Sequence, residues 1–313
     1  MTAQRLPMVV PAQDLPARVR IHEVGPRDGL QNEKGAVPTE VKAEFIRRLA
    51  DAGLTTIEAT SFVHPEWVPQ LADAEQLFPL VRELPGVHLP VLVPNGRGLD
   101  RALALGARRV AVFASATESF AKANLNRGLD EALAMFDPVV SRAKADKVHV
   151  RGYLSMCFGD PWEGAVPIHQ VVRVCKSLRD MGCDELSLGD TIGVATPGHV
   201  QDLLAELNEE GVPTSVIGVH FHDTYGQALA NTFAALQHGV NTIDASAGGL
   251  GGCPYAKSAT GNLATEDLVW MLQGLGIDTG VDLDRLTATS VWMAEQLGRP
   301  SPSRTVRALS HQE

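Results

Sequence analysis

The chain is 313 residues long, 44% hydrophobic and 20% charged, with a formal net charge of −10. That length holds two ordinary domains or one large α/β barrel, and the composition is that of a packed enzyme rather than a disordered chain. The acidic balance argues against broad nucleic-acid binding, which needs a basic stripe, and no apolar run approaches a bilayer span. Cys157, Cys175, Cys183 and Cys253 form no Cys-x-x-Cys pair, so reduced thiols and a cytoplasmic location are expected.

Residues 1–17 read as a short extension. Their apolar patch, Leu6 to Val10, is interrupted by Pro7 and bounded by Pro11, too short and broken for a signal peptide. A strand is predicted over 19–24, followed by Gly25-Pro26-Arg27-Asp28-Gly29, where Asp-Gly is by itself a turn signal. Val41, Phe45 and Leu49 recur every four residues, with Thr39 placed to cap a helix and Gly53 to close it. The second strand, 54–59, carries Glu58 at its end, with Ser61 just beyond. Strands follow over 87–93, 108–113 and 148–154, the last ending at Tyr153. Val171, Val174, Cys175 and Leu178 form one helical stripe that stops at Gly182. The sixth strand, 185–188, contains Ser187 and leads to Asp190. The seventh, 216–221, contains His220 and is followed by His222. A helix with Leu229, Phe233 and Leu236 stops at Gly239. The eighth strand, 241–245, leads into a loop with glycines at 248, 249, 251 and 252, then Cys253 and later Asn262. An extra helix is expected near 284–297, and 299–313 reads as a tail.

Eight strand–helix units predict a (β/α)₈ TIM barrel, an α/β fold in one catalytic domain over 1–313 with an added C-terminal helical segment. The competing doubly wound sheet would usually show Gly-x-Gly-x-x-Gly after an early strand, and none stands there. In a barrel the carboxyl ends of the strands carry the chemistry. Arg27, Asp28, Glu58, Ser61, Tyr153, Ser187, Asp190, His220, His222, Cys253 and Asn262 would then share one rim.

Residues two apart on a strand face the same way, so His220 and His222 project together while Phe221 points away. Two imidazoles converging on one point suit a divalent cation. With them Asp28 becomes a natural third ligand and Asn262 a neutral oxygen donor, a set that suits Mg²⁺ or Mn²⁺. Zn²⁺ remains open, although no thiolate ligand is required. Amidohydrolase barrels also use His-x-His, but on the first strand rather than the seventh. Arg27 is either a salt-bridge partner or the holder of an enolate or carboxylate oxygen. Glu58 and Asp190 either act chemically or orient Arg27 and the histidines. Cys253 sits in a glycine-rich segment that looks like a lid, where a thiol can serve as acid, base or nucleophile.

At these residues the chain resembles the 3-hydroxy-3-methylglutaryl-CoA lyases of the metal-dependent lyase and Claisen-synthase barrel superfamily. The resemblance runs from Glu23 to about Val281. It is carried by Gly25-Pro26-Arg27-Asp28-Gly29-Leu30-Gln31-Asn32-Glu33, Thr60-Ser61-Phe62-Val63, Ser187-Leu188-Gly189-Asp190-Thr191-Ile192-Gly193, His220-Phe221-His222-Asp223-Thr224-Tyr225-Gly226-Gln227 and Gly251-Gly252-Cys253-Pro254-Tyr255-Ala256. The last segment is the one similar to the lyase branch specifically. The resemblance implies metal ligation by Asp28, His220, His222 and Asn262, a catalytic thiol at Cys253, a transition-state role for Arg27, and catalytic or positioning roles for Glu58 and Asp190. Tyr153 and Asn124 match positions near the substrate more loosely, and Ser61 and Ser187 complete the expected substrate contacts. His64 and Asp160 stand where relatives carry Ser and Cys.

The reaction so implied is divalent-metal-dependent cleavage of 3-hydroxy-3-methylglutaryl-CoA to acetoacetate and acetyl-CoA. The alternatives are a related 3-hydroxyacyl-CoA lyase acting on citramalyl-CoA or a longer-branched homologue, a Claisen-type synthase, and a metal-stabilised interaction module. Expected partners are an acyl-CoA substrate and further copies of the chain, a dimer or higher, with no nucleic acid and no membrane.

Overall fold

The computed structural model describes residues 6–33, 35–252 and 261–310. Its strands are β1 (Arg20–Glu23), β2 (Thr60–Ser61), β3 (Val91–Leu92), β4 (Arg109–Ser115), β5 (His149–Ser155), β6 (Glu185–Asp190), β7 (Ile217–Phe221) and β8 (Thr242–Ala245). All pair in parallel, in the order β1-β8-β7-β6-β5-β4-β3-β2. A parallel bridge between Glu23 and Ile57 closes the ring, with the Glu23 amide donating to the Thr56 carbonyl at 2.9 Å and the Glu58 amide to the Glu23 carbonyl at 2.8 Å. The barrel expected from the sequence is therefore the fold.

Between the strands run α1 (Thr39–Asp51), α2 (Ala74–Val81), α3 (Gly96–Ala104), α4 (Glu118–Leu125), α5 (Leu129–Ala145), α6 (Ile168–Asp180), α7 (Pro197–Glu209) and α8 (Ala228–Gln237). After β8 come α9 (Thr265–Gly274), α10 (Leu283–Leu297) and α11 (Arg304–Leu309). The second strand differs from its sequence reading. Within 54–59 only single bridges form, and the ladder is shifted to Thr60–Ser61. The neighbouring segment does run beside it, with His88 and Pro90 accepting from the Ile57 and Ala59 amides at 3.0 Å, but Pro90 has no N–H to return and the ladder is interrupted there. Thr39 is the first residue of α1 rather than its cap, and its hydroxyl donates to Asp73 at 2.8 Å. The tail expected over 299–313 carries α11, which the short pattern Val306–Leu309 is too brief to reveal by periodicity.

Each helix buries one apolar stripe on the outside of the sheet; for α1 it is Phe45, Ile46 and Leu49 and for α6 Val171, Val174, Cys175 and Leu178. The lumen is different. Instead of layers of branched aliphatics alone it holds ion pairs, with Arg20 to Glu185 and Arg151 to Glu185 at 3.2 Å and to Asp244 at 2.6 Å. Charges buried this way persist only when paired, and these pairs span β1, β5, β6 and β8.

The C-terminal segment fastens the carboxyl end of the barrel. Arg299 pairs with Glu33. The Ser301 hydroxyl donates to the Gly248 carbonyl at 2.9 Å, and that of Ser303 to Asp267 at 2.8 Å. Beneath the same loop Glu266 is fully buried, accepting from the Gly248 amide at 2.8 Å and from Ser290. Burial, aided by the nearby Glu23, pushes its carboxyl up to about 8. The folded value lies above the unfolded one, so its contribution to stability is complete below about pH 4.5 and is lost as pH rises toward 8. Glu266→Gln is thus expected to gain on the wild type by several kcal/mol, on the order of 3, between pH 5 and pH 8 in urea unfolding. A difference independent of pH would refute the assignment.

Candidate metal centre and active site

The segment after β1 winds as a single wide π-helical turn, Gly25–Gly29, with the Gly29 amide bonded to the Val24 carbonyl at 3.1 Å. Such turns cluster at functional sites because the extra residue re-aims side chains. Here Arg27 and Asp28 are turned over the mouth of the barrel. No side chain fits at the ends of this turn. A Cβ on Gly25 would lie 2.6 Å from Glu23 Oε1, and one on Gly29 would lie 2.9 Å from Leu250 Cβ. The sequence signal of a plain Asp-Gly turn understated this geometry.

His220 closes β7 with Phe221, and His222 follows immediately. Their Nε2 atoms stand 3.3 Å apart. Residues 261–263 return antiparallel beside this end: His222 bridges Asn262, and the Leu263 amide bonds the Phe221 carbonyl at 3.0 Å. Asn262, forty residues later in sequence, is thereby set beside His222. Its Nδ2 donates to Asp28 Oδ2 at 2.8 Å and to the Leu250 carbonyl at 3.0 Å, while its Oδ1 is buried without a hydrogen-bond partner. One ligand atom each from Asp28, His220 and His222 falls within 4.8 Å of the other two.

These residues fit a divalent cation. Burial and the neighbouring His220 push His222 down to about 4, so it is a neutral ligand at pH 7. For Asp28, burial acts upward, but Arg27 and the two histidines outweigh it and hold the carboxyl below the usual range, ionised. Burial also works against charge on His220, yet Asp244 and Asp28 raise its pKa overall. An orphaned amide oxygen, an ionised carboxylate and two facing imidazoles make up a mixed nitrogen and oxygen donor set compatible with a divalent cation.

Arg27 lies beside this cluster and is buried. Its Nη1 donates to Asp28 Oδ1 at 2.7 Å and its Nη2 to Glu58 Oε2 at 2.8 Å. Tyr153 donates to the same Glu58 oxygen at 2.9 Å, and the Arg27 guanidinium sits 5.5 Å from the centre of its ring. Burial first, then Glu58, raises the Tyr153 pKa, keeping it a neutral donor.

The other residues named from the sequence are placed as follows. Asp190 is buried, with its oxygens taken by the amides of Val194 at 2.8 Å and Ala195 at 3.1 Å; burial raises its pKa to about 6. Ser61 is buried and accepts from the Val63 amide at 3.3 Å. The Ser187 hydroxyl faces the lumen and donates to Asp244 at 2.9 Å. Asn124 is exposed near the end of α4. Cys253 lies outside the described residues. His64 turns outward, its side chain 62% exposed and its ring 6.4 Å from that of Trp67. Asp160 is buried and ties the loop after β5, accepting from Thr117 at 2.6 Å and from the Trp162 amide at 2.7 Å. Two residues the sequence reading passed over, Arg151 and Asp244, lie directly under the cluster. Their signal was a charge in mid-strand at a lumen-facing position.

Comparison with known proteins decides the lineage, since the HMGL-like family model matches residues 18–292. The chain belongs to the HMGL-like family. It is 52% identical over 294 residues to a protein of Rattus norvegicus named hydroxymethylglutaryl-CoA lyase, mitochondrial, across 94% of this chain and 90% of the relative. The solved hydroxymethylglutaryl-CoA lyase of Pseudomonas aeruginosa superposes with a TM-score of 0.92 at 46% identity, covering 95% of this chain and 99% of that one. An HMG-CoA lyase of Acinetobacter baumannii, solved in complex with coenzyme A and 3-methylmalate, gives 0.89 at 34% identity over 96% and 97% of the two chains. The identity to these named lyases over nearly the whole of both chains makes this chain a carbon–carbon lyase. Among the described residues no helix is long and apolar enough to cross a membrane.

Proposed function

We propose that this HMGL-like chain cleaves 3-hydroxy-3-methylglutaryl-CoA to acetoacetate and acetyl-CoA with Mg²⁺ or Mn²⁺ bound by Asp28, His220, His222 and Asn262. The observation that carries the reading is the meeting of Asp28, His220 and His222 at one point beside a buried arginine. The names of the rat and Pseudomonas relatives support the substrate, and the coenzyme A complex of the Acinetobacter protein supports an acyl-CoA partner.

The reaction breaks the C2–C3 bond. The tertiary hydroxyl loses its proton and its carbon becomes the ketone of acetoacetate. The bonding electron pair passes to the thioester half as an enolate, whose carbon then takes a proton. A bound divalent cation supplies Lewis-acid polarisation of substrate oxygen at this site. Asp28, ionised and facing the cluster, receives the hydroxyl proton. Arg27 donates to the oxygen on which enolate charge develops, held in place by Glu58, which Tyr153 fixes in turn. Asp190 holds the loop after β6 through the Val194 and Ala195 amides. Asn124, Tyr153, Ser61 and Ser187 complete the substrate-contact set of this reading.

Cys253 supplies the proton to the enolate carbon. Cys253→Ser should keep the wild-type thermal midpoint and lose about a hundredfold in kcat, the lower end of what a positioned general acid contributes. Full turnover in that variant would remove the thiol from the mechanism.

A coupled assay for acetoacetate tests the whole reading, with activity abolished by chelation and restored by Mg²⁺ or Mn²⁺. A kcat/KM preference of about tenfold for citramalyl-CoA, roughly 1.4 kcal/mol of discrimination, would overturn the substrate and leave the reaction type. A cytoplasmic location is supported by the free buried thiols Cys157, Cys175 and Cys183, and fractionation tests it. Self-association, dimeric or higher, is supported by the exposed apolar run Leu6, Met8, Val9 and Val10 and is measured by sedimentation.

A further inference from the structure

We propose that Asp244 is a positioning residue that fixes the tautomer of His220, keeping the proton on Nδ1 so that the Nε2 lone pair faces the cation site. Asp244 lies on β8 beside His220 of β7 in register, 1% exposed. Its Oδ2 stands 3.2 Å from His220 Nδ1 and accepts from the Ser187 hydroxyl at 2.9 Å. Its Oδ1 accepts from Arg151 Nη2 at 2.6 Å, and Arg151 is held from the other side by Glu185. Four strands, β5 to β8, thus contribute Arg151, Glu185 and Ser187, His220, and Asp244 to one connected polar set beneath the cluster.

The sequence of β7 makes room for this set. Gly218, two residues before His220 and so on the same lumen face, has no side chain. A Cβ there would lie 2.7 Å from Arg151 Nη2. The vacant position lets the guanidinium cross the lumen and reach the carboxylate under His220. Paired with that guanidinium, the carboxylate is ionised and offers only lone pairs. The ring nitrogen facing it must therefore carry the hydrogen. The other ring nitrogen, Nε2, is left with its lone pair toward His222 Nε2 and Asp28. This inference rests on the cation reading above.

The competing role is structural, with Asp244 serving only to neutralise Arg151. Asp244→Asn separates the two. Arg151 Nη2 requires an oxygen at the Oδ1 position, which forces the new Nδ2 into the place of Oδ2. An N–H then points at His220 Nδ1 and drives the ring proton onto Nε2, the ligand nitrogen. Two measurements follow on the cation-free protein: the imidazole ¹⁵N spectrum of His220 and titration with Mn²⁺. In the wild type the neutral His220 ring should carry its proton on Nδ1. Asp244→Asn should show Nε2 protonated and bind Mn²⁺ roughly ten- to hundredfold more weakly, as loss of such an outer partner does elsewhere. Unchanged tautomer and Mn²⁺ affinity within about threefold in a folded Asp244→Asn would overturn the proposal. So would a neutral His220 ring carrying its proton on Nε2 in the wild type, a result that needs no variant to fold. Failure of the wild type to bind Mn²⁺ at all would overturn the cation reading itself, and with it the purpose assigned to the tautomer.

Discussion

His222→Ala is expected to lower turnover by at least about a thousandfold, roughly 4 kcal/mol of transition-state stabilisation, and to strip the protein of retained Mn²⁺. The ring is nearly fully buried, its Nε2 is 3.3 Å from that of His220, and burial keeps it neutral at working pH. Within 4.8 Å only Asp28 and His220 accompany it among the described residues as candidate ligands of this type. Truncation therefore leaves one imidazole, one carboxylate and the Asn262 amide oxygen, with a nitrogen ligand of the set removed. The intervening Phe221 points to the opposite face and carries no ligand atom. Metal analysis and kcat are measured together, with the thermal midpoint as a check on folding. Activity within tenfold of wild type, with the cation retained, would rule out this ligand set.

Arg27→Lys is the second large effect, with an expected loss in kcat of about 10² to 10³, the range seen when a preorganised donor to a developing oxyanion is removed. The charge survives in this variant, so the change isolates geometry. Arg27 spans two carboxylates with two different nitrogens, Nη1 to Asp28 at 2.7 Å and Nη2 to Glu58 at 2.8 Å. A single ammonium on a flexible stem cannot hold both in that plane and still present a donor to substrate. Binding should suffer less than turnover, because the lost contact strengthens as charge develops. A kcat within threefold of wild type would move Arg27 from the chemistry to a purely structural ion pair.

The barrel was legible because strand and helix periods alternate cleanly through most of the chain. His220-Phe221-His222 shows the same legibility at the site, since a period of two puts both rings on one face wherever the strand lies. Glu58 was placed at the rim from its position at the end of a β-branched run, even though the ladder there is shifted to Thr60–Ser61. Local pattern tolerates such a shift, because Glu58 still bonds back to Glu23 through its amide at 2.8 Å. Asp160 and His64 show the opposite case. In sequence both are unusual polar residues near the site, and only the fold separates a buried loop anchor from an outward-turned surface ring.

What the amino-acid sequence determined by itself is the set of parts: eight alternating units, two in-phase imidazoles, an Arg-Asp pair after the first strand, and a glycine-rich thiol loop. These follow from neighbours in the chain, whose relative directions are set by backbone geometry alone. Tertiary structure alone decided how distant parts meet. The π-helical turn at Gly25–Gly29 aims Arg27 and Asp28 over the barrel mouth, and the antiparallel return of residues 261–263 brings Asn262 to His222. Closure of the ring also sets Asp244 beneath His220, with Arg151 crossing the space that Gly218 leaves. Such contacts join residues up to 234 positions apart, as Asp28 and Asn262 are. They depend on barrel closure and strand register, which are properties of the whole ring that no short window of sequence contains.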